Sequence, residues 1–194
     1  MYLSQSELGD LGLGAVGENV LIDKTAAIFG AGDIHIGDNV RIDCFVVLTA
    51  GPKELRIGQN VHIAAGVQIF GGGGVFLDDF TGLSGRVSIH SVNDDYSHGY
   101  LTNPTVPEKF RNVTAASVHL ARHALVGAGS VVLPGVLVGK GASVGALSLV
   151  NKSIPEFTIV AGNPLRRIGT RDEARLGELE DAYLGEGKRR QGTP

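Results

Sequence analysis

A chain of 194 residues with a net charge of −3 has the length of one domain and lacks the basic footprint of a nucleic-acid binder. Its single cysteine, Cys44, excludes an internal disulfide or a cysteine-rich zinc site, and no apolar run approaches the roughly 18 residues of a membrane span. The 29 glycines are about twice average usage, yet they follow no Gly-X-Y period and accompany 43% apolar residues, so they read as turns in a folded chain.

The start, MYLSQSELGD, has neither a basic n-region nor an apolar h-region, so a cytoplasmic setting is the simplest expectation. Residues 1–15 read as an N-terminal cap, with SQSELGDLG either a short helix or an irregular cover over an open end. From Val16 an aliphatic residue recurs every six positions: Val16, Ile22 and Ile28, then Ile36, Ile42 and Leu48, then Ile57, Ile63 and Ile69, then Leu77, Leu83 and Ile89. After a gap the series resumes with Leu120, Val126, Val132, Val138, Val144 and Val150. A period of six is neither the 3.6 of a helix nor the 2 of an alternating strand. It fits a hexapeptide-repeat parallel β-helix, in which the aliphatic residue fills the interior of a triangular prism. Small or β-branched residues four places later (Ala124, Ser130, Val136, Ala142, Ser148) let successive rungs pack closely. Glycines 127, 129, 135, 139, 141 and 145 are expected to supply the backbone angles of the corners.

The spacing lengthens only after each third turn, to eight, nine, eight and finally thirty-one residues. Three turns make one coil, so the chain forms about six coils with all insertions at one corner. Gly71–Gly74 falls in the third insertion and reads as a flexible loop or a close approach of backbone to a ligand. The largest insertion, residues 90–117, carries Tyr96, Tyr100, Phe110 and a compact His/Asp cluster, and folds against the coil or a neighbouring subunit. The β-helical domain extends to residue 168. Residues 169–194 read as a short helix over 171–184, with Ala174, Leu179, Ala182 and Tyr183 on its apolar face, and a frayed tail whose Lys188–Arg190 cluster is solvated charge.

A narrow solenoid filled by its aliphatic ladder has no internal cavity, so chemistry belongs outside, at the long loop or between subunits. Outward Val131, Leu133, Leu137 and Leu149 point to self-association. His35 and His62 lie in early coils, are expected to have no acidic neighbours, and read as surface residues. His119 and His123 are four apart, but off a helix that spacing does not pair them as metal ligands. His90 follows the last inward aliphatic of the fourth coil and opens the long loop, with Asn93, Asp94 and Asp95 near it. Its imidazole can take a proton at neutral pH; His98 is the competing base. No nucleophile elbow, zincin helix or dinucleotide fingerprint occurs, and Cys44 lies far from the loop, so direct transfer assisted by a base is the economical chemistry.

The repeats, the loop and the ending VGALSLVNKSIPEFTIVAGNPLRRI resemble the hexapeptide-repeat, left-handed β-helix acyltransferases, nearest to the sugar and polysaccharide O-acetyltransferases. The resemblance implies an all-β left-handed solenoid, a homotrimer, acetyl-CoA in the groove between subunits, and acetyl transfer to a hydroxyl, or as a variant an amino group, of a sugar, nucleotide-sugar or polysaccharide precursor, with no metal. It implies CoA contacts at Ala128, Ala146, Lys152, Asn163 and Arg166. It also implies a histidine base in the loop. The galactoside type has Asn-His-x-x-Asp where this chain has His-Ser-Val-Asn-Asp-Asp, so alignment puts Asp94 or Asp95 near the catalytic position, with His90 adjacent. Leu125 replaces the family's indole in Asn-x-Trp-Ile-Gly, and His123 stands at the Asn place. Two other readings share the fold: a γ-carbonic-anhydrase-like hydratase using His90, His119 and His123, and a non-catalytic scaffold.

Overall fold

The computed structural model describes the backbone of residues 1–191 and the side chains of residues 1–186. Its strands are two to five residues long and form three parallel sheets that are the faces of a prism. The first face contains Val16, Ile36, Ile57, Leu77, Leu120 and Val138, in register one above another. The second face stacks Ile22, Ile42, Ile63, Leu83, Val126 and Val144, and the third Ile28, Leu48, Ile69, Ile89, Val132 and Val150. Each strand is too short to be stable alone; pairing with its copies in the coils above and below satisfies its backbone groups. The long spacings all run from the third face to the first, so the insertions share one corner as the counting predicts.

Most of the ladder is fully buried, including Ile22, Ile42, Ile63, Leu120 and Val126, each with no exposed surface. The small residues four places on are buried too, from Ala124 at 0% to Val136 and Ser148 at 3%. The exceptions are in the first coil, beyond which no coil lies: Val16 is 43% exposed and Ile28 only partly buried. Helix α1, Gln5–Asp10, lies at this end: Ser4 and Glu7 form a capping box at its N-terminus, and Leu8 is 4% exposed against the core. At the far end a partial seventh coil continues the prism. Ile154 bridges to Val138, and Val160 pairs with Val144. The strand Arg166–Thr170 then turns back antiparallel on Thr158–Ala161.

The glycines divide into two kinds. Gly129, Gly135 and Gly141 have positive φ, as expected for corners, but Gly127, Gly139 and Gly145 do not. A Cβ on Gly127 would lie 2.6 Å from the Ala146 nitrogen, and one on Gly139 2.7 Å from that of Glu156, so those two glycines permit close approach of the next coil. Many corners are left-handed without glycine: Asn19, Asn39, Asn60, Phe80 and His123 repeat at one corner, and Phe45, Arg86 and Leu147 at another. Gly71–Gly74 is no loose loop. Gly71, Gly73 and Gly74 are buried, and the Gly73 N–H donates to Ser91 Oγ at 2.8 Å. The approaching backbone is the protein's own.

Helix α2, Glu173–Gln191, is longer than the sequence pattern predicts and continues through most of the expected tail. Its contacts with the coils are largely polar. Glu180 accepts from Arg122 and from His123, whose Nε2 is 2.7 Å away, and the Tyr183 hydroxyl donates to Asn60 at 2.9 Å. Ala174 and Ala182 are exposed, while Leu179 and Tyr183 are half-exposed beside Phe80. The Lys188–Arg190 side chains lie outside the described residues.

Candidate active site

The site begins where the chain leaves the third face. Alternate residues of a strand share a side, so Ser88 and His90 of the strand Ser88–His90 both point outward while Ile89 fills the core. Phe70, one coil earlier, pairs with His90 in register, and the two rings stack at 4.9 Å with planes 24° apart. The Ser88 hydroxyl is 2.9 Å from His90 Nε2. Partial burial holds the imidazole pKa below its usual value, because the charged form is less well solvated there. The shift favours the uncharged ring.

The long insertion leaves as a two-stranded ribbon rather than as irregular chain. Val92–Asn93 pairs antiparallel with Thr114–Ala115. Its foot is fixed by Ser91, which is fully buried: Ser91 N–H and Oγ both donate to the Phe70 carbonyl, and its own carbonyl accepts from Ala116. Beyond the ribbon, Asp95 organises the turn. Its carboxylate accepts from the backbone N–H of Ser97, His98 and Tyr100 and sits 3.0 Å from His98 Nδ1. The Ser97 and His98 amides hold it at a pKa of about 2. Asp94 has a single bond, from the Asn103 N–H at 3.2 Å, and is only partly buried. Of the four sequence candidates, Asp95 and His98 are therefore committed to each other, whereas His90 and Asp94 retain unused acceptor capacity.

Ala128 and Ala146 are exposed on successive coils at the corner between the second and third faces, where Leu147 N–H donates to the Ala128 carbonyl. Small side chains leave bare backbone there. Lys152 lines a cavity of ≈ 390 Å³ at the open end of the last coil, over Ile154, Val160 and Leu165. The second cation on that cavity is Arg167, not Arg166. Asn163 is exposed at the turn before Pro164.

The remaining histidines correct one expectation. His62 does have an acidic partner: Asp43, one coil below, lies 2.8 Å from its Nε2. His119 meets Asp78 on the first face at 2.9 Å, and His123 is buried against Glu180 at a corner. His90, His119 and His123 thus lie on the third face, the first face and a corner respectively. Among the described residues no group of three or more His, Cys, Asp or Glu could hold a metal ion. None of the described helices is long and apolar enough to cross a membrane. Sequence reading missed Ser88 and Phe70. Both were legible once a coil is taken as about twenty residues, since that spacing puts Phe70 beneath His90.

The chain thus presents a parallel β-helix with an ordered loop at one corner, a half-buried imidazole at the loop's base, and the cations Lys152 and Arg167 at its far end. No family model matches the chain. It is 41% identical over 182 residues, 94% of each chain, to a dTDP-4-amino-4,6-dideoxy-D-glucose acyltransferase of Escherichia coli. It superposes with a TM-score of 0.92 and 39% identity on a serine-to-alanine mutant of AntD, an N-acyltransferase from Bacillus cereus, solved with dTDP-4-amino-4,6-dideoxyglucose and coenzyme A; 95% of this chain and 98% of that one are covered. A putative lipopolysaccharide O-acetyltransferase of Escherichia coli is 28% identical over 67% of this chain and 79% of its own. The chain belongs to the hexapeptide-repeat sugar acyltransferases. It is a CoA-dependent acyltransferase that acts on a sugar.

Proposed function

We propose that the acceptor is the amino group of a nucleotide-linked 4-amino-4,6-dideoxy sugar, and that the product is the corresponding amide. The observation that carries this is the near-full-length similarity to two acyltransferases whose names or bound ligands specify that sugar. An amine acceptor also suits the site. Its ammonium form must lose a proton before attack, and a half-buried imidazole at the base of a loop that carries a partly satisfied carboxylate, Asp94, suits binding and deprotonating it.

In this reading Asp94 receives the ammonium and His90 accepts the proton. His90 passes that proton to solvent; the nitrogen lone pair then attacks the thioester carbonyl, the C–N bond forms, and His90 takes the second proton from that nitrogen and delivers it to the CoA sulfur as the C–S bond breaks. Asp95 and His98 hold the loop rather than react. The pantetheine arm lies along Ala128 and Ala146, and the CoA phosphates are met by Lys152 and Arg167, which share one cavity, with Asn163 and Arg166 adjoining in the chain. The outward apolar residues, among them Leu137 at 44% and Leu147 at 78% exposed, support a homotrimer in which the loop reaches a neighbour. A cytoplasmic location suits a nucleotide-sugar substrate.

The test is an acyl-transfer assay comparing dTDP-4-amino-4,6-dideoxyglucose with its 4-hydroxy counterpart, using acetyl-CoA. Transfer to the amine, a roughly 10²–10⁴-fold loss in His90→Ala and retained CoA binding in that variant are expected. Preference for the hydroxyl sugar would overturn the acceptor. Full activity in His90→Ala together with a dead Asp94→Asn would move the base to the carboxylate.

A further inference from the structure

We infer that Ser88 is a positioning residue that fixes the tautomer of His90, leaving the lone pair for the acceptor's proton on Nδ1. This rests on the reading of His90 as the base. Four of the six histidines, His62, His98, His119 and His123, have a carboxylate partner. His90 differs, for its hydrogen-bond partner is a neutral hydroxyl, and it forms no ion pair with any described residue.

The difference has a chemical consequence. A carboxylate at 2.8–3.0 Å favours the imidazolium and so opposes release of the proton afterwards. A hydroxyl can accept from Nε2–H or donate to a bare Nε2; we assign it the accepting role, which orients the ring without adding charge and leaves Nδ1 unprotonated. Nδ1 has no hydrogen-bond partner among the described residues and is the nitrogen left to react. Phe70 completes the holder: its ring stacks on the imidazole, and its backbone is tied to the loop's foot through Ser91. The ring is thus gripped by Ser88 at its Nε2 edge and by Phe70 on a face. No charged side chain shares this grip, so the base is set by position and burial alone.

The experiment compares Ser88→Ala, Ser88→Thr and His90→Ala in the acyl-transfer assay, with the His90 ring nitrogens read by ¹⁵N NMR. Ser88→Ala should lower kcat about tenfold, the size of one lost orienting hydrogen bond, with KM for both substrates unchanged. Ser88→Thr, which keeps the hydroxyl, should restore kcat. The wild-type spectrum should show one neutral tautomer protonated at Nε2, and Ser88→Ala a mixture. Wild-type kcat in Ser88→Ala beside an inactive His90→Ala would overturn the role of Ser88 alone. Full activity in His90→Ala would overturn the base itself, and this inference with it. An Nδ1-protonated wild-type ring would also refute the inference, whatever the kinetics.

Discussion

Gly73→Ala tests how the loop is tied to the solenoid. A Cβ at this position would approach the Ser91 carbonyl oxygen to well under 3.0 Å and lie 3.1 Å from the Ala116 nitrogen. All the crowded atoms are backbone, and both residues are part of the foot of the 90–117 ribbon. Reaching ordinary contact requires a shift of roughly an ångström, which a paired strand resists. Overpacking of this kind costs about 1–3 kcal/mol, or about 2–12 °C in Tm for a domain of this size. The displaced ribbon carries Asp94, and a misplacement on the order of 1 Å can lower turnover about 10²-fold. Gly72→Ala is the control: its Cβ would meet only the Val92 side chain, at 3.5 Å, so its effect should stay within about 0.5 kcal/mol. Thermal melts and acyl-transfer rates on both variants decide the matter. Equal melting temperatures and equal rates for the two would refute the claim that the glycine run exists for close packing under the loop.

Three further outcomes follow from the electrostatics. Burial lowers the His90 pKa, so the acidic limb of kcat/KM against pH should have its midpoint below about 6.5; a midpoint above 7 would contradict the neutral-base reading. Asp95 has a folded pKa of about 2 against an ordinary 3.8. Its stabilisation of the turn is complete above about pH 4 and is lost as pH falls through 2. Asp95→Asn should therefore speed proteolytic cleavage within 90–117 at pH 7, whereas the wild-type cleavage rate should not vary between pH 5 and 8 on this account. Glu180→Ala removes the partner shared by Arg122 and His123. Because that cluster is half-buried, the opening free energy of helix α2 should fall by about 1–2 kcal/mol. Hydrogen exchange over 173–186 should accelerate about tenfold with the coils unaffected; unchanged exchange would mean that Leu179 and Tyr183 hold the helix instead.

The period of six, the triplet grouping and the position of the long insertion follow from residue order alone, because a solenoid repeats its inward positions at fixed intervals. The inward ladder from Ile22 to Val150 and the insertion corner could be counted off the chain. So could the outward direction of Ser88 and His90, which the strand alternation dictates. The contacts between coils were another matter. Asp43 beside His62, Glu180 against His123 and the glycine run under Ser91 join residues 18 to 57 positions apart. Their geometry depends on the lengths of the intervening insertions and on the path of α2. The state of the two loop carboxylates was equally hidden. Asp94 and Asp95 are adjacent and chemically identical in sequence, yet only the folded turn aims the Ser97, His98 and Tyr100 amides at Asp95 and leaves Asp94 available. Sequence determined the scaffold because burial of an aliphatic every sixth residue admits few arrangements. Tertiary structure decided the chemistry because proton affinity is set by which donors and acceptors meet in space.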